Sequence, residues 1–100
     1  VSARSRAKGA AGEQEVARLF ADAGHTVQHL QRNRSDMADL LIDGWLYVDA
    51  KRQERWKLRE WIAQVENCSP DGATPAVVFR SNREAWGIWL PAQDFAERMP

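Results

Sequence analysis

The residues of this chain best suited to chemistry are Asp39, Asp49 and Lys51. Asp49 and Lys51 close the run Trp45-Leu46-Tyr47-Val48-Asp49-Ala50-Lys51, in which Leu46, Val48 and Ala50 alternate with Trp45, Tyr47, Asp49 and Lys51. Alternate residues of a strand face opposite ways, so the acid and the lysine point together, away from the apolar set. In Asp39-Leu40-Leu41-Ile42, Leu40 and Ile42 share a face, which leaves Asp39 on the other. The dipeptide Asp43-Gly44 between the two runs suits a tight hairpin turn, so Asp39 and Asp49 can converge across it. Two carboxylates offer hard oxygen ligands to Mg²⁺, and an ammonium beside the ion can orient and help deprotonate an attacking water. Taken alone, the same spacing equally describes an exposed sheet face carrying solvated ion pairs of little energetic consequence.

A fourth group, the Glu13 carboxylate, favours the chemical reading. It precedes Val16, Ala17 and Phe20 at helical spacing and so continues the apolar stripe of a first helix toward the sheet. A carboxylate aimed inward needs a partner, because an unpaired buried charge is costly. Its neighbour Glu15, close to Arg18, reads as ordinary surface.

The elements that must position these groups follow from periodicity. Val16, Leu19, Phe20 and Ala23 fall at i, i+3, i+4 and i+7, with Gly24 as a left-handed cap. Residues 26–31, 38–42 and 45–51 read as three strands, the last two a hairpin. Leu58, Trp61, Ile62, Val65 and Cys68 mark a second helix over about Trp56 to Cys68, ended by Ser69-Pro70-Asp71-Gly72. Residues 75–80 and 85–90 form two more strands, and Pro91 opens a short closing helix. The expected class is α/β, with a central mixed five-stranded sheet flanked by helices in the order αβββαββα.

One hundred residues fit one domain. The 44% hydrophobic and 28% charged content implies a packed core and excludes a disordered chain. The single cysteine, Cys68, excludes an internal disulfide and any zinc site on paired cysteines, and His25 and His29 lack ligand spacing. With no apolar run long enough to span a bilayer and no signal-peptide core, the expectation is a soluble, cytoplasmic protein, in the host cytoplasm if phage-encoded. Fourteen basic and fourteen acidic residues cancel, so any attraction to nucleic acid is local. Arg4, Arg6 and Lys8 lie in residues 1–8, which hold only small and charged residues and read as a flexible basic arm before a domain over 9–100. Lys51, Arg52, Arg55, Lys57 and Arg59 form a second basic run against one acid, Glu54. Taken alone, such a run is more often a solvated surface.

Three segments together, Lys8-Gly9-Ala10-Ala11-Gly12-Glu13, Ala38-Asp39-Leu40-Leu41 and Val48-Asp49-Ala50-Lys51, resemble the PD-(D/E)XK nucleases, particularly the archaeal and phage-type Holliday junction resolvases. The similarity runs from about residue 8 to the end. It implies a restriction-endonuclease-like fold and a Mg²⁺-dependent endonuclease, with Mn²⁺ as a substitute ion, that hydrolyses DNA phosphodiesters by metal-activated water. Residue by residue, it implies that Asp39, Asp49 and Glu13 gather the metal and that Lys51 serves the water. Two positions depart from the pattern: Ala38 replaces the proline, which does no chemistry, and Asp49 replaces the commoner glutamate, so the shorter acid must draw the ion closer to its strand.

The implied substrate is a four-way junction cut by a homodimer in DNA recombination and repair, with other branched or nicked DNA as the nearest alternative. A catalytically silent DNA-binding module and an RNA-processing enzyme are the rivals. Arg4, Arg6, Lys8, Arg32, Arg34, Ser35, Arg52, Arg55 and Lys57 are the expected backbone contacts, with Gln64 as a helix glutamine following the x-Lys motif. Five tryptophans exceed what so small a core needs. Trp61 and Trp86 are expected to pack inside, while Trp45, Trp56 and Trp89 are candidates for a dimer contact or a stacking surface.

Overall fold

The computed structural model describes residues 3–30 and 39–99. Helix α1 (Ala3–Asp22) is followed by strands β1 (Val27–Leu30), β2 (Asp39–Ile42) and β3 (Leu46–Arg52). Helix α2 (Leu58–Cys68), strands β4 (Thr74–Arg80) and β5 (Gly87–Trp89), and helix α3 (Ala92–Arg98) complete the chain. The order is the expected αβββαββα. Helix α1 begins at Ala3, within the residues that read as a flexible basic arm in the sequence. Alanine, arginine and lysine are strong helix formers, and no proline interrupts them, so helical backbone extends forward without an apolar face to hold it.

Helix α1 stops where Gly24 adopts φ +96°, a left-handed conformation that costs glycine little. There the Gly24 N–H bonds to the Ala21 carbonyl and the His25 N–H to that of Phe20, both at 3.0 Å, which satisfies two of the last four carbonyls of the helix. Between β2 and β3, Asp43 and Gly44 have φ +51° and +75°, the paired positive values of a two-residue hairpin turn, and the Trp45 N–H closes it on the Ile42 carbonyl.

The sheet order is β1-β2-β3-β4-β5, with β1, β2 and β3 antiparallel in succession, β3 and β4 parallel, and β5 antiparallel to β4. A parallel pair needs a crossover, and α2 supplies it. One face of the sheet packs Leu40, Ile42, Leu46, Val48, Ala50, Ala76 and Val78 against Val16 of α1, with Ala17 and Phe20 at the margin. The other packs Tyr47 and Val77 against Trp61 and Val65 of α2. Helix, sheet and helix thus form three layers, and β3 is buried on both faces. The alternative of an exposed second face for β3 is therefore excluded, because the crossover helix lies on it.

The stripe of α1 is also rotated from its expected position. Val16, Ala17 and Phe20 face the sheet, whereas Leu19 is 46% exposed and Ala23 lies at the surface. Among the described residues, no helix is long and apolar enough to cross a membrane.

Candidate active site

The β2–β3 register sets Asp39 directly opposite Asp49, and the same row continues to Leu30 on β1 and Val77 on β4. The hairpin thus brings the two acid positions together as alternation and the Asp43-Gly44 turn required. Asp49 itself is 1% exposed. Its Oδ2 lies 3.5 Å from Nζ of Lys51, whose side chain is mostly buried. A solvated ion pair is thereby excluded at this position. A buried pair is held in place by what surrounds it and adds little net stability against an apolar pair of the same size, so its presence calls for another reason.

Glu13 stands apart from this pair. Helix α1 covers the face of Val48 and Ala50, whereas Asp49 and Lys51 alternate onto the face that α2 covers. The Glu13 carboxylate lies 3.4 Å from Nδ1 of His29, and His29 is the register partner of Leu40, on the α1 side. The expected placement of Glu13 with the aspartates is therefore not what the layers show, since alternation divides these residues between the two faces.

Glu15, which reads as surface in the sequence, holds the larger polar cluster. Its Oε1 accepts from Arg80 at 2.6 Å and its Oε2 from Arg52 at 3.2 Å. Arg52 and Arg80 are register partners at the ends of β3 and β4, so two cations stand side by side and require an anion between them. Arg80 also lies 5.0 Å from the centre of the Trp86 ring. A cleft of about 380 Å³ lined by Gln14, Glu15, Arg18 and Arg52 opens beside the cluster. The parallel pairing behind it joins distant segments, and no local spacing announces it.

The expected DNA contacts divide unevenly. Arg4, Arg6 and Lys8 fall on the first turns of α1, where the backbone is described, while Arg32, Arg34 and Ser35 lie outside the described residues. Arg52 is half-buried and paired with Glu15. Arg55 and Lys57 are exposed in the segment between β3 and α2. Gln64 is half-buried on α2 and has an interaction within the protein.

The tryptophans divide likewise. Trp61 is buried and Trp86 packs on the first cluster, as expected. Trp89 packs on the second cluster, and Trp45 packs on the first, with the Arg98 guanidinium 4.2 Å from its ring centre. Trp56 is 50% exposed. Of the aromatic patch expected for a dimer contact, Trp45 and Trp89 are thus occupied within the chain.

Asp43 has a structural task. It accepts the Thr26 N–H at 2.8 Å and lies 2.5 Å from Nδ1 of His25, fastening the hairpin turn to the chain that leaves α1. The Thr26 hydrogen bond first, and His25 second, hold its carboxyl below the ordinary value of 3.8.

No family model, curated protein or solved structure matches the chain. The fold and the site define an α/β domain with a five-stranded mixed sheet, helices on both faces and an aspartate–lysine pair buried in its central strand.

Proposed function

We propose that this chain is a metal-dependent DNA endonuclease with a restriction-endonuclease-like fold. The observation that carries the reading is the Asp39–Asp49 register across the β2–β3 hairpin, with Lys51 paired to Asp49. Opposed carboxylate positions are a hard-oxygen donor set, and Mg²⁺ commonly binds through one or two carboxylates together with substrate phosphate. Among the described residues, no group of three or more His, Cys, Asp or Glu side chains is gathered for a metal, and the side chain of Asp39 lies outside those described. Asp39 and Asp49 would hold the ion, which when bound supplies charge neutralisation at a phosphate and a more acidic water. Mn²⁺ suits the same oxygens.

Within this reading, Lys51 has two tasks. Its ammonium balances Asp49 in the free protein and, two residues along the same face, orients a water toward the phosphate. Arg55 and Lys57, exposed just beyond the end of β3, hold the DNA backbone without reading its bases. The αβββαβ order with antiparallel β1, β2 and β3 and parallel β3 and β4 supports the fold assignment.

The preferred substrate is a four-way junction and the acting species a homodimer, whose two-fold symmetry would present two centres to two strands. A neutral chain has few phosphate contacts with which to hold linear duplex, whereas a junction offers several backbones at once. One observation favours a second reading. Asp49 is 1% exposed, which also suits a DNA-binding module whose aspartate–lysine pair is internal. Incubation with labelled four-way junction, linear duplex and single-stranded DNA, each with Mg²⁺ and with EDTA, separates the two. Cleavage in Mg²⁺ alone, strongest on the junction, is expected of the enzyme, and binding without cleavage of the module.

A further inference from the structure

Beyond β3, the chain crosses to α2 through Gln53-Glu54-Arg55-Trp56-Lys57. Both ends of this crossing are tied to the fold. The Gln53 N–H bonds to the Arg80 carbonyl at 3.1 Å, Glu54 accepts the Asn82 N–H at 2.8 Å, and the Lys57 carbonyl accepts the Trp61 N–H at the start of α2. Held at both ends, the segment presents Arg55, Trp56 and Lys57 outward, and all three are exposed.

The Trp56 ring is itself fixed. It stands at 82° to the Phe79 ring with centroids 4.9 Å apart, and Phe79 meets the buried Trp61 ring at 6.1 Å. An aromatic ladder thus runs from the core beneath α2 to the surface. Phe79 is the register partner of Lys51, so Trp56 stands over the strand next to the candidate lysine, on the α2 side. Half of a large apolar ring remains in water between two cations, although burying it would be favourable.

We propose that Trp56 is a stacking platform for an unpaired base, with Arg55 and Lys57 holding the phosphates on either side of it. Aromatic rings stack on any base because every base has a π-face, and flanking cations track the backbone. A base inside a duplex offers no such face, so the site selects DNA with an unpaired base, such as one in a single-stranded flap or one that opens at the exchange point of a junction. This rests on the nuclease reading for its substrate, and deepens it, because the platform adjoins Lys51.

The test measures binding in EDTA, where no cleavage intervenes. A short labelled oligodeoxythymidylate and an abasic strand of the same length are titrated with wild-type protein and with Trp56→Leu, which keeps apolar contact with Phe79 but offers no ring. The wild type should bind oligodeoxythymidylate about tenfold to hundredfold more tightly than the abasic strand. Trp56→Leu, shown folded by thermal melting, should bind both strands alike and weakly. Equal binding of the two strands by the wild type would overturn the proposal without recourse to any variant, as would undiminished binding by Trp56→Leu. If Trp56-dependent binding holds while Mg²⁺ brings no cleavage, the nuclease reading falls and the platform stands. If Mg²⁺ brings cleavage while Trp56→Leu binds as the wild type does, the platform falls and the nuclease reading stands.

Discussion

Replacing Lys51 with methionine would leave the Asp49 carboxylate buried without the cation that faces it 3.5 Å away. At an effective dielectric of about 20, that separation corresponds to a gross attraction of about 5 kcal/mol. Desolvation of both groups offsets part of it, and removing one member of a buried pair costs about 3–5 kcal/mol. Lys51 is 15% exposed, so water softens the loss. A loss of about 2–4 kcal/mol is expected for Lys51→Met. For a domain of this size, 1 kcal/mol shifts the melting temperature by about 4–8 °C, so the change is roughly 10–30 °C. Asp49→Leu should lose a similar amount, whereas the double variant, with two apolar groups, should return to within about 1 kcal/mol of wild type. The assay is urea and thermal denaturation of the four proteins of this double-mutant cycle. A loss below about 0.5 kcal/mol for Lys51→Met, the size of a solvated pair, would show that burial does not couple the two charges.

Glu15→Gln should cost about 1–2 kcal/mol in a urea melt, because the neutral amide leaves Arg52 and Arg80 side by side without an anion, and the partial exposure of Glu15 limits the loss. Glu13→Gln should cleave with a Mg²⁺ midpoint within about threefold of wild type, since Glu13 contacts His29 on the α1 side; a metal titration of cleavage by the two proteins reads this directly. The folded pKa of Asp43 lies below 3.8, so its contribution to stability is complete above that value and lost as pH falls through the folded pKa. In Asp43→Asn, which tolerates the turn's positive φ, the loss of stability below about pH 4 should be shallower in melts taken across the acid range.

Local pattern carried most of the fold. Alternation from Trp45 to Lys51 and the Asp43-Gly44 turn define a hairpin whose register opposes Asp39 and Asp49. The spacing of Trp61 and Val65 identifies the buried side of α2. Nonlocal pairing was not legible. That β3 and β4 run parallel, with α2 laid across the Tyr47 face, turns an apparently exposed acid–lysine pair into a buried one. The same pairing sets Arg52 beside Arg80 and draws Glu15 inward. Leu19 was misplaced because helical spacing defines a stripe only to within a residue or so, and contact with the sheet selects Gly12, Val16 and Phe20. Alanine-rich helix propensity, with no apolar stripe to signal it, extends α1 to Ala3.

The nuclease reading depends on hydrolysis at the Asp39–Asp49 pair, and Asp49→Asn tests that step because the amide keeps the buried volume while removing the charge. Wild type and Asp49→Asn, both confirmed as folded by circular dichroism, are incubated with labelled four-way junction in Mg²⁺ and in EDTA. The wild type should cut the junction in Mg²⁺ and leave it intact in EDTA, and Asp49→Asn should leave it intact in both. Cleavage by folded Asp49→Asn at the wild-type rate, or none by the wild type in Mg²⁺, would rule out metal-dependent hydrolysis at this pair.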